Sequence, residues 1–169
     1  EGGNRAAGAK QGFAPGAAVV VSAPVEPFDC RGPGGRGMQN KVVVRYQDGR
    51  VLKGFTSDFI ANKEVFHVTD DTSSGNRPVE IFVPDLKAIF FVKDHVGDNR
   101  YTEHKQFDPA RPVAGRKIRV DFKDGEHLVG ITQAYQPGRP GFFMVPVDPR
   151  SNNDRIYVVS AATRSVKYL

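Results

Sequence analysis

The chain has 169 residues, with 24 basic and 19 acidic side chains and a net charge of +5. The basic excess is spread along the chain without a Lys/Arg run, so no dedicated nucleic-acid patch is indicated. No apolar run approaches the ~20 residues of a membrane-spanning helix. The single cysteine, Cys30, excludes an intrachain disulfide and fits a reducing compartment, so we expect a cytoplasmic protein.

Residues 1–40 are predicted to form an extended, Gly/Pro-rich N-terminal arm. They hold half of the 18 glycines and four of the 12 prolines, and they show no apolar period. Two alternatives are open: the arm lies along the rest of the chain, or it becomes ordered on a partner. Its phenylalanines, Phe13 and Phe28, are candidate partner-binding residues.

One short stretch occurs twice, at Lys41–Gly54 and at Lys117–Gly130, 76 positions apart. In each copy, alternating apolar residues flank an Asp-Gly pair. This pattern predicts a β-hairpin with a tight primed turn, because glycine accepts positive φ without steric cost. The sequence therefore predicts six structural turn residues: Asp48, Gly49, Gly54, Asp124, Gly125 and Gly130.

The repetition extends well beyond the hairpin. Phe66 matches Phe142 at the same offset, and one extra residue in the second copy then shifts the offset, so that Phe91 matches Tyr168. Each copy shows five short strands with a single 3₁₀ turn before the fifth, which is the layout of an SH3-like small barrel. A unit of this size is close to the lower limit for folding alone, so we expect the two copies to pack together.

The predicted fold is therefore all-β, with two tandem five-stranded SH3-like or Sm-like small barrels behind the extended arm. The expected divisions are the arm at 1–40, the first barrel at 41–94, a connector at 95–116 and the second barrel at 117–169. Within the connector, Arg100–Phe107 is predicted to form a short helix, with Asp98 or Asn99 as its N-cap.

Four stretches resemble a bacterial family of uncharacterised tandem small barrels that is sometimes found beside PilZ domains. They are DGRVLKGFTSDF, VPDLKAIFFVKD, FKDGEHLVGITQAYQPGRPGFFMVP and SNNDRIYVVSAA. The resemblance implies the tandem architecture and a bacterial origin, and it implies no catalytic role. The Arg-x-x-x-Arg motif with which PilZ domains bind a cyclic dinucleotide does not occur here, so that activity is not implied.

The hairpin and the glycine that follows it also resemble the Sm-like branch of small barrels. Sm proteins that bind RNA place an Asp directly after the next aromatic residue and an Asn four residues later. Here Phe59 is followed by Ile60, and Tyr135 is followed by Gln136. The resemblance therefore implies the Sm-like fold without its uridine pocket.

Two pairs of adjacent aromatic residues, Phe90-Phe91 and Phe142-Phe143, lie in predicted strands. Neighbours in a strand point to opposite faces, so one ring of each pair should leave its own core and be covered by the other barrel or by a partner. Arg139, beside the second pair, is a candidate for stacking a base on a basic surface. The candidate partner-binding residues are Phe13, Phe28, Phe90, Arg139, Phe142 and Phe143.

Other reactive residue types fit no known site. His95 and His104 lie in the polar connector at a spacing that matches no metal-binding pattern, and we interpret them as part of a solvated linker. Cys30 has no identifiable general base. The glycines of residues 32–37 precede a strand and so do not form a phosphate loop. The sequence predicts no catalytic residues, no metal site and no cofactor.

These observations favour a non-enzymatic protein-binding or assembly subunit that docks on a larger protein complex. The alternative is an Sm-like nucleic-acid-binding protein that binds RNA. That alternative requires an affinity that falls steeply with salt concentration.

Overall fold

The computed structural model describes residues 39–70, 77–97, 100–108 and 112–169, which belong to one compact unit. Most of the arm predicted over residues 1–40, including Phe13 and Phe28, lies outside the described residues. The described part is almost entirely β-structure, so the predicted all-β class is confirmed. No helix within it is long and apolar enough to cross a bilayer.

Each repeat contributes five strands and one 3₁₀ turn. The first repeat forms β1 (Asn40–Tyr46), β2 (Val51–Thr56), β3 (Val65–Asp70), β4 (Pro78–Phe82) and β5 (Leu86–Val92). The second repeat forms β6 (Arg116–Phe122), β7 (His127–Thr132), β8 (Gly141–Pro146), β9 (Asn153–Val159) and β10 (Thr163–Tyr168). The 3₁₀ turns, Val83–Asp85 and Ser160–Ala162, directly precede β5 and β10.

The ten strands form one antiparallel sheet in the order β10-β6-β7-β8-β9-β5-β1-β2-β3-β4. Each repeat has the same internal order, with its fifth strand beside its first and its fourth strand at the other side. The repeats are joined where β5 pairs with β9. Two separate closed barrels are therefore not confirmed, because the sheet runs through both repeats and is not closed.

The predicted primed turns would have two-residue loops, whereas both hairpin loops contain three residues. In the first, the Tyr46 N–H donates to the Arg50 carbonyl at 2.9 Å, which leaves residues 47–49 as a three-residue loop. Gly49 is the last residue of this loop and has φ +93°; Gly125 takes the same place with φ +92°. A three-residue hairpin loop needs a left-handed residue at that position, so the glycines are required although the turn type differs.

The other predicted turn residues have two different roles. Asp48 and Asp124 lie in the turns, and each accepts the backbone N–H two residues further on, at 2.9 and 3.0 Å. Gly54 and Gly130 lie inside β2 and β7 instead, which corrects their assignment to turns. A Cβ at Gly54 would overlap the Thr69 carbonyl oxygen of β3, so this glycine permits a close approach between strands.

Two apolar cores lie within the sheet. The first core includes Val42, Val44, Phe66, Val68 and Ile81, and the second includes Ile118, Val120, Phe122, Phe142 and Met144. Strand β5 contributes to both, because alternate side chains of a strand point to opposite faces. Its Ile89 and Phe91 enter the first core, whereas Ala88 and Phe90 enter the second. The cores therefore share a strand and are built together.

The helix predicted over Arg100–Phe107 is wrong, because residues 100–108 follow an irregular path. The Tyr101 hydroxyl donates to the carboxylate of Asp148, and the His104 N–H donates to the same group at 3.0 Å. Asp148 is buried and comes from the segment between β8 and β9. The Asp148 carboxylate thus accepts the hydrogen bond from the His104 N–H, which in a helix would bond to a carbonyl of the preceding turn.

Candidate functional site

The two repeats meet at the β5–β9 seam, the antiparallel ladder between the fifth strand of the first repeat and the fourth strand of the second. Its register aligns Ala88 with Val158 and Ile89 with Tyr157. Every residue of β5 is buried, including Lys87. The seam therefore has a strand ladder, apolar packing and a charged group, and it shows how one repeat recognises another.

Aromatic rings pack across the seam. The ring centroid of Phe59, from the first repeat, lies 6.1 Å from that of Phe143 and 5.0 Å from that of Tyr157. The Tyr157 hydroxyl donates to the carbonyl of Ala61 at 2.9 Å. The guanidinium of Arg155 lies over the Phe143 ring, 5.2 Å from its centroid. The second repeat thus inserts several side chains into the first.

The predicted partner-binding aromatics lie within this packing. Phe90 and Phe142 are buried in the second core, and the partly buried Phe143 packs against the first. Phe90 and Phe143 are the two rings that leave the core of their own repeat, and each is covered by the other repeat. Phe90 and Phe142 therefore do not face a separate partner, which corrects their prediction. Arg139 is exposed in the loop between β7 and β8.

A charged cluster closes one end of the seam. The buried ammonium of Lys87 forms ion pairs with Asp124 and Glu126 of the β6–β7 turn, and it lies 4.6 Å from the centroid of the Phe122 ring. Arg45 also contacts Glu126, at 3.3 Å. The hydrogen bond from Lys87 lowers the pKa of the Asp124 carboxyl below its ordinary value. Two cations of the first repeat thus meet two acids of the second.

A cavity of about 490 Å³, here called the junction pocket, opens beside the seam. Residues 61–64, 83 and 84 of the first repeat line one side, and residues 138–140 and 159–161 of the second repeat line the other. Lys63 and Arg139 both line it, and they hold equivalent positions in the two repeats. The Arg139 Nε–H donates to the Gln136 side chain at 2.7 Å. The pocket therefore combines short aliphatic groups with two cations and one acid, Glu64.

Strand β4 is one outer strand of the sheet. The Val83 N–H donates to the Glu64 carbonyl beside β3, at 2.7 Å. Backbone groups alternate in direction along an antiparallel strand, so the N–H groups of Glu80 and Phe82 point away from β3. The side chains of Val79 and Phe82 are exposed on this strand. The β4 edge thus presents backbone donors and apolar surface together.

Strand β10 is the other outer strand. The Leu169 N–H donates to the Lys117 carbonyl of β6 at 3.0 Å. By the same alternation, the N–H groups of Val166 and Tyr168 point away from β6. Tyr168 and Leu169 are exposed apolar residues. Both ends of the described sheet therefore carry a line of outward backbone groups.

The connector histidines and their neighbours tie the connector to the sheet. His95 Nε2 lies 3.0 Å from the Gly54 carbonyl oxygen, and its ring stands edge-on to Phe55. The hydrogen bond from Tyr101 and the N–H of His104 lower the pKa of Asp148 to about 2. Over residues 39–70, 77–97, 100–108 and 112–169, no three His, Cys, Asp or Glu side chains are grouped as metal ligands.

Sequence reasoning identified neither the seam nor the open edges, although a signal for them exists. Strand β5 reads LKAIFFV, whereas its counterpart β10 reads TRSVKY. A nearly continuous apolar run is typical of a strand that is covered on both faces. The contrast between the two sequences indicates that β5 is covered within the chain and β10 is not.

Comparison with known proteins finds one family. The model of a family of unknown function, DUF6982, matches residues 38–169, a range that contains both repeats and the connector. No curated protein and no solved structure matches the chain significantly.

Proposed function

The chain belongs to DUF6982, a family of unknown function. We propose that it is a non-enzymatic, cytoplasmic assembly subunit. It binds proteins through the outer strands of its sheet, and each repeat acts as an SH3-like or Sm-like small-barrel module. One observation carries the proposal: the two repeats already associate edge to edge at the β5–β9 seam, while β4 and β10 present outward backbone groups of the same kind.

Strand addition explains how such an edge binds a protein. An added strand gains affinity from main-chain hydrogen bonds and specificity from alternate side chains. On β4, the outward N–H groups of Glu80 and Phe82 supply the first, and the exposed Val79 and Phe82 side chains supply the second. The N-terminal arm adds a further contact with the larger complex.

The test is a capture experiment from nuclease-treated lysate of the source organism. The baits are the full chain, Glu80→Pro, Glu80→Ala and a chain that lacks residues 1–38. Proline removes the outward N–H, whereas alanine keeps it, so of the two Glu80 variants only Glu80→Pro should lose the captured protein set. The chain without residues 1–38 should capture less than the full chain. Unchanged capture by Glu80→Pro would contradict strand addition.

The second candidate function is RNA binding, and the paired cations of the junction pocket favour it. Lys63 and Arg139 occupy equivalent places and line the same cavity. Their ammonium and guanidinium groups would contact phosphates, so affinity should fall with salt. Fluorescence anisotropy with labelled single-stranded RNA tests this. Lys63→Ala and Arg139→Ala should each weaken binding and reduce the slope of log affinity against log salt concentration by about one, whereas Lys123→Ala should change neither. Salt-independent binding, or none at low salt, would exclude this function.

A further inference from the structure

We propose that the partner of each outer strand is a second copy of this chain, with β4 of one copy paired antiparallel to β10 of the next. The inference rests on the proposed function and names the protein that the edges bind. Strands β4 and β9 are fourth in their repeats, and β5 and β10 are fifth. The two outer strands are therefore the counterparts of the two strands that already pair at the seam.

The backbone groups match the register of the seam. In this part of the chain the repeats are offset by 77 residues, so Ile89 corresponds to Val166 in the second repeat, and Tyr157 corresponds to Glu80 in the first. The Ile89–Tyr157 pair of the seam therefore corresponds to a Val166–Glu80 pair between two copies. The N–H groups of Val166 and Glu80 both point outward, so these two residues can exchange a pair of hydrogen bonds. Pro78, which has no N–H, is the first residue of β4 and therefore lies at the end of this ladder.

The apolar surface of the outer strands matches surface that the seam buries. Four edge side chains are strongly exposed: Val79 at 44%, Phe82 at 45%, Tyr168 at 46% and Leu169 at 64%. Their counterparts at the seam are buried: Ile156 at 1%, Val159 at 2%, Phe91 at 4% and Val92 at 7%. Pairing β4 with β10 would cover the four exposed residues in the way that the seam covers their counterparts.

One charged contact of the seam is reproduced with the same signs. At the seam, Lys87 pairs with Asp124. The repeat offsets convert this pair into Arg164 of one copy and Asp48 of the next. Both residues are exposed: Arg164 lies in β10, and Asp48 lies in the β1–β2 turn of the repeat that contains β4. The proposed junction thus keeps a cation on the fifth strand and an acid on the facing turn.

A second charged contact is reproduced with the signs exchanged. Arg45 contacts Glu126 at the seam. Its counterpart at the proposed junction is Asp121 of one copy and Arg50 of the next. Both ends of the pair have changed sign together, so attraction is retained. The Lys87–Glu126 contact of the seam corresponds to Arg164 and Arg50, which are both cations. Within one copy, Asp48 pairs with Arg50 at 2.7 Å, and Asp121 pairs with Arg119 at 2.9 Å. Two of the three charged contacts of the seam are therefore complementary across the proposed junction, and they compete with ion pairs inside each copy.

The junction uses different surfaces on the two copies, so it is heterologous. A copy bound through β4 still presents its own β10, and further copies add head to tail. Such an interface produces a closed ring if the rotation between copies closes, and an open filament otherwise. In either form, each junction continues the sheet of one copy into the next.

The test uses the purified full chain and two edge variants, measured by sedimentation velocity and light scattering. Glu80→Pro removes an outward N–H of β4, and Val166→Pro removes one of β10. Glu80→Ala and Val166→Ala are the matched controls, because they shorten the same side chains and keep the N–H groups. Circular dichroism confirms that each variant folds.

The unmodified chain should form species larger than a dimer, and each proline variant alone should be monomeric. Because each proline variant retains one intact edge, mixing the two in equal amounts should give a dimer that contains one of each. The alanine controls should assemble further than a dimer. A monomeric full chain at every soluble concentration, or a homodimer of either proline variant, would overturn the proposal.

A charge variant provides a second measurement if Val166→Pro does not fold. Arg164→Glu places an acid opposite Asp48 of the next copy, and Lys123→Glu makes the same charge change at another exposed position. Arg164→Glu should raise the dissociation constant of the junction about fivefold, as expected for one exposed charge pair, whereas Lys123→Glu should leave it unchanged. Equal assembly by these two variants would also count against the junction.

The result separates this inference from the proposed function. If the purified chain stays monomeric while Glu80→Pro still loses the proteins captured from lysate, the β4 edge binds a different protein and only the inference fails. If the chain stays monomeric and Glu80→Pro captures the same proteins as the unmodified chain, both fail.

Discussion

At the scale of single residues, Gly54 and Gly130 set how closely neighbouring strands approach. A Cβ at Gly54 would overlap the Thr69 carbonyl oxygen and come within 2.7 Å of the Val68 side chain. A Cβ at Gly130 would overlap the Val145 carbonyl oxygen in the same way. Since the obstacle is backbone in each case, a rotamer change does not relieve it, and the strand itself must move.

We therefore expect Gly54→Ala and Gly130→Ala each to lower the free energy of unfolding by about 1–3 kcal/mol, the usual cost of overpacking. Urea denaturation followed by circular dichroism measures the change. Val51→Ala, at an exposed position of the same strand as Gly54, is the control and should change stability by less than about 0.5 kcal/mol. A Gly54→Ala variant as stable as this control would show that the strands separate at no cost.

At the scale of elements, β5 connects the repeats through its backbone, its apolar side chains and Lys87. The Lys87 ammonium is buried, whereas its partners Asp124 and Glu126 are partly exposed. When Lys87 is removed, the two carboxylates can therefore regain water, so the loss should be moderate. The hydrogen bond from Lys87 lowers the pKa of Asp124, which makes this link sensitive to pH.

Lys87→Met should lower the free energy of unfolding by about 1–2 kcal/mol at neutral pH. Because the folded-state pKa of Asp124 lies below its unfolded value, the ion pair stabilises the fold above the ordinary carboxyl pKa near 4 and loses its effect as the pH falls below it. The difference between the two proteins should therefore shrink in acid. Denaturant titrations at several pH values test this, with Lys123→Met as control. A difference that does not change with pH would exclude the ion pair as its source.

At the scale of the whole molecule, the two repeats share their cores and should unfold together. Adjacent residues of β5 serve opposite cores: Phe90 enters the second and Phe91 the first. Strand β9 does the same, since Ile156 enters the second core and Tyr157 the first. If either core is lost, β5 and β9 lose the packing on one of their two faces, and the other core, which contains side chains of the same strands, is destabilised as well.

Phe90→Ala and Phe91→Ala should each cost about 3–5 kcal/mol and shift one common unfolding transition. Hydrogen exchange by mass spectrometry should show slow amides of β1 and of β6 losing protection together in both variants. Val96→Ala, at an exposed site, is the control. Two separate transitions, with each variant shifting only one, would contradict shared cores.

Local sequence patterns are sufficient to predict the parts of the structure that depend on neighbouring residues. Alternating apolar residues predicted the strands, and Asp-Gly pairs predicted both hairpins, although the loops contain three residues. The 3₁₀ turns before β5 and β10 were also predicted. These features depend on local backbone preferences, which a short stretch of sequence contains.

How these elements combine depends on contacts between segments that are distant in the sequence. The pairing of β5 with β9 joins residues more than sixty positions apart. The local sequence of either strand does not indicate that the fifth strand of one repeat pairs with the fourth strand of the other. This pairing joins the two repeats in one sheet and places Phe90 of the first repeat in the core of the second. The connector helix was lost for a similar reason, because the distant Asp148 takes up its backbone N–H. Contacts between distant segments decided each of these features, since burial and hydrogen bonding across the fold outweigh local preference.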